Sequence, residues 1–508
     1  MNRISILLAA TAVLVAAGCN NDKLTSVNKN PNAPTTAPTP ALFLNGVQSG
    51  VANWLGSGYD LRDISLIVQH LAENQYIAND QYKGVNSTSQ NALFSGVYQG
   101  SLEDLQVVVR NGTAANDPSA WAPALITQQW EYGYLTDTWG DVPYSQALAV
   151  DSSASIKAPA YDPQQQIYTG MMAALQKSAT ALQGVTKSSL GASDPIYGGD
   201  NVKWQKFANS LHARDALRIV NADPATADKE LKAAFTAPGG VFTSNADMAK
   251  LVWPGDGVFN NPWAVNFSSR DDDRMSKTLI DTLNHLNDPR VPIYAMPAAA
   301  TGLYAGQPNG LTNAQAVAYS DNASRPGAIF YPGPVAYGSG SYGGGGNSYP
   351  SYLMSYAEVA LIQAEAAERS LGGLTPAQAA GFYNAGITAS MQQWGVTNAA
   401  AIAAYLAQPA VAYKGGVAGQ KQIALQKWIA LYSDAGQAWA EWRRTCTPSL
   451  VPALNNNSFG YVPRRIRYPS SELSANNAQV QAAVTRMGGD LNNTHVWWDK
   501  TTTAPTCQ

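Results

Sequence analysis

The chain has 508 residues, enough for roughly three domains of about 150 residues each. It carries 32 basic and 35 acidic residues, a net charge of −3, and so lacks the basic excess with which proteins neutralise nucleic-acid phosphates. Only 13% of the residues are charged, about half of the usual quarter, while 13 Trp, 25 Tyr and 10 Phe exclude a disordered protein.

The first 18 residues have the pattern of a lipoprotein signal peptide. Arg3 precedes an apolar stretch over 4–17 that is too short to span a bilayer, and small residues lead directly to Cys19. This ending resembles a bacterial lipobox, from which Ala16 departs because leucine is commoner there. We expect cleavage after residue 18 and lipid on Cys19, so that the protein is anchored to a membrane without spanning it. An ordinary secretory signal is the alternative.

Polar and Pro-rich residues follow Cys19. The segment 19–40 has almost no apolar content and predicts a flexible tether. Beyond it, apolar residues recurring at three- and four-residue steps predict helices over 61–77, 164–183 and 203–221. The 164–183 helix has a start pattern, with Asp162 as N-cap, Pro163 at the first helical position and Gln165 closing a capping box.

The C-terminal half predicts packed helix pairs. A helix over 353–371 is followed by a short turn and a second capping box, Thr375–Gln378. Two helices joined by so short a turn pack antiparallel, and the small residues Gly386 and Ser390 would let their backbones approach closely. A single helix over 420–444 carries a stripe of aromatic residues that we assign to the core.

Helical patterns thin out over 223–350. The segment 325–352 is dense in Gly, Pro and Tyr, a composition typical of long loops that are functional or disordered. Together these patterns predict a largely helical body with long, aromatic-rich loops.

Motifs for catalysis and metal binding are almost absent. The four histidines are isolated, and the GxGxxG formed by Gly338, Gly340 and Gly343 precedes more glycines where a helix should begin. The run Asp271–Asp273 lacks the alternation of a calcium loop, so we expect solvated surface, with metal binding as the alternative. We therefore expect no metal site, no cofactor and no enzyme activity. Two carboxyl groups that converge in the fold, as in glycoside hydrolases, remain an alternative.

Aromatic side chains in the predicted loops point to a binding function. Exposed rings beside Asn, Gln and Asp suit ligands that have an apolar face and a polar rim, such as sugars or peptides. The alternative is that half or more of these rings pin their own loops to the body. The candidate ligand contacts are Tyr76, Tyr82, Trp253, Trp263, Arg270 and Tyr337.

Two cysteines remain once Cys19 is assigned to lipid. In an exported protein Cys446 and Cys507 are expected to form a disulfide that ties the C-terminal tail to the end of a helix. Two unpaired thiols are the alternative.

An ordered series of motifs runs through most of the chain. The motifs are Val27–Asn32, Leu135–Leu148, Trp204–Leu211, Asn287–Arg290, Tyr356–Val359, Ala364–Ala366, Gln426–Trp428, Trp442–Arg444 and Arg465–Pro469. This series resembles the SusD/RagB family of nutrient-binding outer-membrane lipoproteins, in particular its SusD-like, starch-binding-associated branch. Cys446 departs from the family pattern, in which a Gly commonly follows the paired Arg, and this supports a local addition such as the disulfide.

The resemblance implies an all-α fold in which tetratricopeptide-like helix pairs form a right-handed superhelical scaffold, and a single SusD-like domain over 41–508. It also implies a lipid-anchored protein on the outer-membrane surface that captures an oligosaccharide and delivers it to a SusC-like TonB-dependent transporter. A peptide or other non-glycan nutrient is the alternative ligand, and a surface glycoside hydrolase is the less favoured function. The segment Trp139–Tyr144 is expected to be architectural and not a ligand contact.

Overall fold

Most of the regular structure is α-helical, and the strands are short. The computed structural model describes residues 39–85, 88–148, 158–456 and 460–501. The predicted signal peptide, Cys19, nearly all of the predicted tether and Cys507 lie outside these residues. The described residues belong to one compact unit. None of the described helices is both long and apolar enough to cross a membrane.

The helical elements include one π-helical segment, Ser57–Ile64, and four single 3₁₀ turns. The α-helices, in chain order, are α1 (Thr39–Trp54), α2 (Ser65–Ile67), α3 (Thr88–Gln99), α4 (Ser101–Ala114), α5 (Pro118–Trp139), α6 (Gln164–Ala181), α7 (Asn201–Arg218), α8 (Pro224–Thr236), α9 (Pro262–Phe267), α10 (Lys277–His285), α11 (Val291–Tyr294), α12 (Asn313–Val317), α13 (Tyr356–Glu368), α14 (Pro376–Gln393), α15 (Ala399–Leu406), α16 (Gly416–Ala430), α17 (Ala435–Thr445), α18 (Ser470–Ala475) and α19 (Asn477–Met487).

The described strands form two-stranded antiparallel pairs, β1 with β5, β2 with β3, β4 with β10, β6 with β7 and β8 with β9. They are β1 (Leu71–Glu73), β2 (Val142–Pro143), β3 (Tyr161–Asp162), β4 (Ala249–Leu251), β5 (Asp273–Met275), β6 (Ala295–Met296), β7 (Arg325–Pro326), β8 (Val335–Tyr337), β9 (Gly340–Tyr342) and β10 (Ser351–Met354).

Neighbouring helices pack in pairs, which confirms the predicted all-α fold. Helices α4 to α7 each pack against the next helix in the chain, and α13 packs against α14. The predicted capping box at Thr375–Gln378 opens α14. A Cβ on Gly386 would lie 2.7 Å from the Leu361 Cγ, so the predicted close approach of the two backbones is confirmed. Gly46 has the same role between α1 and α4, where a Cβ would lie 2.8 Å from the Leu105 Cγ.

Two predicted helices are wrong in extent. The 61–77 segment is π-helical and then α-helical only to Ile67, and it continues as β1 after Gln69 adopts a φ of +59°. The predicted 420–444 helix is two helices, α16 and α17. Asp434 is the N-cap of α17, and its carboxylate accepts a hydrogen bond from the Gln437 N–H at 3.3 Å. Both segments are buried on nearly every side, so apolar spacing alone does not locate their breaks.

The start of α6 also differs from the prediction. The Asp162 carboxylate accepts hydrogen bonds from the Tyr144 and Ser145 N–H groups, at 3.0 and 2.8 Å, and does not cap the helix. The Gln164 N–H instead donates to the Asp141 carboxylate at 2.8 Å. The cap therefore comes from a residue more than 20 positions upstream, which local sequence patterns do not reveal.

A buried network of charges joins four helices. On α17, Glu441 accepts hydrogen bonds from Arg218 of α7 and from Arg444, each at 2.6 Å, and lies 3.2 Å from the Lys427 Nζ of α16. Arg444 also makes a two-fold contact, at 2.6 and 2.5 Å, with Glu365 of α13. Burial alone would raise the pKa of Glu441, but the surrounding cations hold it well below its usual range.

A second buried ion pair joins α7 to α13. The Arg214 guanidinium donates to both oxygens of Glu358, at 2.7 and 2.6 Å, and to the Leu353 carbonyl at 3.2 Å. Both side chains are almost fully buried. Removing one partner would destabilise the fold strongly, because a buried charge without a counter-charge costs much more free energy than a buried ion pair.

We expect Arg214→Met to destabilise the fold by about 3–5 kcal/mol, since it leaves the Glu358 carboxylate buried without its partner. The double variant Arg214→Met/Glu358→Leu should recover most of that loss. Lys277→Met, which breaks an exposed pair with Asp281, should change stability by less than about 1 kcal/mol. Denaturant unfolding of the four proteins measures this, and a double variant no more stable than the single one would contradict it.

The β1–β5 pair places two acidic side chains face to face. Glu73 lies directly opposite Asp273 in the antiparallel register, and both are buried. Both Glu73 oxygens and the Asp273 Oδ1 have no hydrogen-bond partner within the described residues. Burial and the neighbouring charges of Asp273 and Asp80 raise the pKa of Glu73 well above its usual range, in spite of the nearby cation of Arg62. Burial, with the charge of Asp272, raises the pKa of Asp273 to about 7.

This pair should make the protein more stable in mild acid. The folded state holds protons that the unfolded chain releases above about pH 4–4.5, so the contribution to stability is fully present below that pH and is lost as pH rises through the raised pKa values. We expect a higher Tm at pH 5.5 than at pH 8. Glu73→Gln should reduce this difference by raising the Tm at pH 8.

Asp321→Asn, which removes an exposed carboxylate, is the control and should leave the pH dependence unchanged. Thermal unfolding followed by circular dichroism between pH 5 and pH 8 gives the result. A Glu73→Gln variant that is less stable than the wild type at pH 8 would show that Glu73 is charged in the folded state.

Candidate ligand-binding site

The loop after β1 is held in place by buried polar groups. Asp80 accepts hydrogen bonds from the Gly310 N–H at 2.8 Å and from the Asn309 side chain at 2.7 Å. The Gln81 side chain donates to the Leu311 carbonyl at 2.7 Å. Ile77 packs against Leu311 in a small apolar cluster. The loop is therefore rigidly attached to residues 309–311 on its inner side.

Tyr76 projects from this rigid loop. Its side chain is 69% exposed, whereas most aromatic rings in the part of the chain that the structure describes are buried, and its backbone has a φ of +55°. This left-handed conformation is unfavourable for a residue with a bulky side chain, and strained residues are enriched at binding and catalytic sites. An exposed ring on a strained backbone is a candidate ligand platform.

Arg270 covers one side of the Tyr76 ring. Its guanidinium carbon lies 4.9 Å from the ring centroid, within the range of a cation–π contact. Arg270 donates to both carboxylate oxygens of the buried Asp272, and this hydrogen bonding raises the pKa of Arg270. The Asn74 N–H donates to the Asp272 carbonyl at 2.9 Å, so the β1–β5 connection brings the ring and the cation together. The structure thus unites two of the six predicted site residues at one surface.

A second arginine and an exposed carboxylate extend this surface. Asp271 is paired with Arg325 and, at 3.0 Å, with Arg274. The Arg325 guanidinium carbon lies 4.0 Å from the Tyr337 ring centroid. Tyr337 is nearly buried and donates its hydroxyl to the Ala323 carbonyl at 2.9 Å. Tyr337 therefore packs against Arg325, and its own ring is not exposed to a ligand.

The other three predicted contacts lie in the core. Trp263 packs on Phe330 with ring centroids 4.7 Å apart. The Trp253 indole N–H donates to the Ser351 hydroxyl at 2.9 Å, and the Tyr82 hydroxyl accepts from the Ala453 N–H at 3.2 Å. The exposed fractions of Trp253, Trp263 and Tyr82 are 4%, 2% and 1%. These rings pin their loops, which is the alternative that the sequence left open, and they present no face to a ligand in this conformation.

The acidic run is not the solvated surface that the sequence predicted. Asp272 and Asp273 are 2% exposed, and only Asp271 faces solvent. Among the residues that the structure describes, no three His, Cys, Asp or Glu side chains are arranged to hold a metal ion. The GxGxxG glycines lie around the β8–β9 hairpin, and Gly338 has the positive φ of a turn.

Cys446 ends α17 with a φ of +53° and is disulfide-bonded. The pairing with Cys507 stays a prediction, because Cys507 lies outside the described residues.

Sequence reasoning missed Asp271 and Arg325 as members of this surface. Arg325 comes 55 positions after Arg270, and nothing in its local sequence marks it as a neighbour. Arg325 lies in β7, and the contact between β5 and β7 brings it to this surface.

Comparisons with known proteins agree with the fold and with the motifs. A family model of SusD-like proteins, described as starch-binding and associating with the outer membrane, matches residues 31–469. None of the curated proteins compared matches the chain.

Several solved structures are similar over nearly their whole length. A chitin-binding protein is 30% identical, with 91% of this chain and 100% of that one covered at a TM-score of 0.77. A chitin-binding SusD homologue from Flavobacterium johnsoniae is 27% identical, with 92% and 98% covered at a TM-score of 0.78. A SusD homologue from Bacteroides uniformis is 26% identical, with 90% and 99% covered at a TM-score of 0.72.

The family model spans most of the chain, and the solved neighbours share its tetratricopeptide-like helical fold, as the sequence motifs implied. The chain therefore belongs to the SusD-like family.

Proposed function

We propose that this protein is a surface lipoprotein that captures a nutrient glycan and delivers it to a SusC-like TonB-dependent transporter in the outer membrane. The observation that carries the proposal is the exposed Tyr76 ring, held out by a strained backbone and flanked by Arg270. The family description and the two chitin-binding neighbours support a carbohydrate ligand.

The chemistry of the surface suits a sugar ring. The apolar C–H face of a pyranose can lie on Tyr76, and hydroxyl groups can then reach the charged groups beside it. The Arg270 Nη1 makes no hydrogen bond to the described residues, and Asp271 is half exposed. A guanidinium donor is therefore available beside the aromatic platform, and the next residue in the chain, Asp271, presents a carboxylate that is paired with Arg274 and Arg325.

Capture at the cell surface follows from the predicted anchor. Lipid on Cys19 and a flexible segment over 19–40 would hold the domain near the membrane without a spanning helix. The family is described as associating with the outer membrane, which supports this location. Delivery to a transporter is the step that the family resemblance implies.

The arrangement of carboxyl groups favours binding of a glycan without hydrolysis. The carboxyl groups of Glu73, Asp80 and Asp273, on β1, the loop after it and β5, have raised pKa values, and all three are buried. A glycoside hydrolase needs two carboxyl groups that reach its substrate. Asp271 reaches the surface, but it is paired with two arginines.

We expect Tyr76→Ala to weaken oligosaccharide binding about tenfold, or about 1.4 kcal/mol, because it removes the stacking platform. Tyr76→Phe keeps the ring and should retain most of the affinity. Isothermal titration with chitohexaose and maltohexaose measures this. Both variants should unfold at the wild-type temperature, since the side chain is largely exposed.

An unchanged affinity in Tyr76→Ala would remove this surface from the binding site. Binding to digested protein but to neither oligosaccharide would favour a peptide ligand. Release of reducing sugar by the wild-type protein would overturn the proposal in favour of an enzyme.

We expect the mature protein to carry a fatty acid on Cys19 and to co-purify with a β-barrel transporter from detergent-solubilised outer membrane. Metabolic labelling with a radioactive fatty acid, followed by affinity purification, tests both points. Cys19→Ala should abolish the label and release the protein from the membrane. A labelled Cys19→Ala variant would contradict the assignment of the anchor, and purification without any membrane partner would contradict delivery to a transporter.

A further inference from the structure

Asp272 is the middle residue of the acidic run Asp271–Asp273, and its side chain is buried. Its carboxylate pairs with Arg270, and Arg270 in turn lies over the Tyr76 ring. The carboxylate of Asp272 is therefore one side chain away from the exposed platform. A residue in this place can change how the platform binds a ligand without touching the ligand itself.

The backbone fixes Asp272 at the edge of the β1–β5 pair. Its carbonyl accepts a hydrogen bond from the Asn74 N–H at 2.9 Å, and β5 begins at the next residue. Asn74 comes two residues before Tyr76 in the chain. The same pair of strands therefore sets the position of the carboxylate and of the loop that carries the ring.

Arg270 has a fixed main chain and a partly exposed side chain. Its N–H donates to the Asn266 carbonyl at 3.0 Å, at the end of α9. An arginine side chain that is partly exposed ordinarily samples many rotamers. Asp272 restricts this freedom, because the Arg270 Nε donates to both carboxylate oxygens, at 3.0 and 3.1 Å, and Nη2 donates to Oδ2. Hydrogen bonds from two nitrogens to one carboxylate fix the plane of the guanidinium as well as its position.

The orientation of the Tyr76 ring depends on this guanidinium. Because the ring is largely exposed, little of the protein packs against it. The Arg270 guanidinium carbon lies 4.9 Å from the ring centroid, where a cation is attracted to the face of the ring. A guanidinium held by a buried carboxylate keeps this contact, whereas a free one exchanges it for water. Order in the ring thus follows from order in Arg270, and order in Arg270 follows from Asp272.

We propose that Asp272 is a positioning residue of the glycan site, which holds Arg270 against the Tyr76 ring before the ligand binds; the inference rests on the proposed glycan-binding function. A platform that is already ordered binds more tightly, because binding then does not include the entropy cost of ordering it. Asparagine has the same size as aspartate but is uncharged and has a single acceptor oxygen, so it cannot hold the guanidinium in the same way.

We expect Asp272→Asn to weaken binding about fivefold, which is the order of the cost of immobilising one long side chain. Isothermal titration measures this with whichever of chitohexaose and maltohexaose the wild type binds. Arg270→Met should weaken binding by at least as much. In the Arg270→Met background, Asp272→Asn should cause no further loss, because Asp272 acts through Arg270. Losses of affinity that add in the double variant would overturn the inference.

A spectroscopic measurement on the free protein separates positioning from stability. The Nε–Hε NMR signal of Arg270, identified by its absence in Arg270→Met, should shift when Tyr76→Leu removes the ring current. In the Asp272→Asn background the same replacement of Tyr76 should leave the signal unchanged, because the guanidinium no longer lies over the ring. An equal shift in both backgrounds would overturn the inference.

Asp288→Asn is the matched control. The Arg290 guanidinium donates to both oxygens of Asp288, at 2.9 and 2.6 Å, and the two residues are also two positions apart. This pair is buried and contacts Ser390 and Gln426 in place of the Tyr76 surface. Asp288→Asn should lower the Tm and leave the affinity for the glycan unchanged. A similar loss of affinity in Asp288→Asn would show that lost stability explains the effect of Asp272→Asn, and would overturn the inference.

The Tyr76→Ala variant distinguishes this inference from the proposed function. If Tyr76→Ala weakens binding and Asp272→Asn does not, the inference fails and the proposed function stands. If neither variant changes the affinity, or if the wild type binds neither hexaose, both fail.

Discussion

The cost of burying charge is the constraint on which the helical body depends. Glu441 is surrounded by Arg218, Arg444 and Lys427, and Arg444 reaches on to Glu365. These contacts join helices that are distant in the chain. Because each buried charge is tolerable only beside its partner, a small sliding of any one helix would leave a charge unpaired. The network therefore restricts how far the joined helices can shift relative to one another.

Several family motifs are the parts of this framework. Lys427, Arg444 and Glu365 each lie in one of the sequence motifs that resemble the SusD/RagB family. The segment around Trp139 likewise connects distant parts of the chain. The Trp139 indole N–H donates to the Arg467 carbonyl at 3.2 Å, and Arg465 donates to the Trp139 carbonyl at 3.0 Å. These residues contact one another across the fold, as expected for architectural positions.

Much of the fold could be predicted because many of its helices have recognisable patterns within their own segments of sequence. The capping box before α14 and the apolar face of α7 lie within single segments, where spacing is informative. No such pattern indicates the break between α16 and α17, because Trp428 and Trp439 continue one aromatic stripe across it. The strand β1 likewise depends on pairing with β5, some 200 positions away, which no local pattern reveals.

The candidate site was less predictable, for a related reason. Aromatic residues in loops are equally suited to contact a ligand and to hold the loop to the body, and burial separates the two roles. Trp263 and Tyr76 have similar loop surroundings in the sequence, yet one is 2% and the other 69% exposed.

The anchoring of the loop after β1 has a consequence for how the protein can diversify. Asp80 and Gln81 attach this loop through backbone groups of residues 310 and 311, and not through the ring at its tip. The side chain at position 76 can therefore be exchanged without disturbing the framework beneath it. Point substitution at the loop tip can thus change the chemistry of this surface while the helices keep their packing.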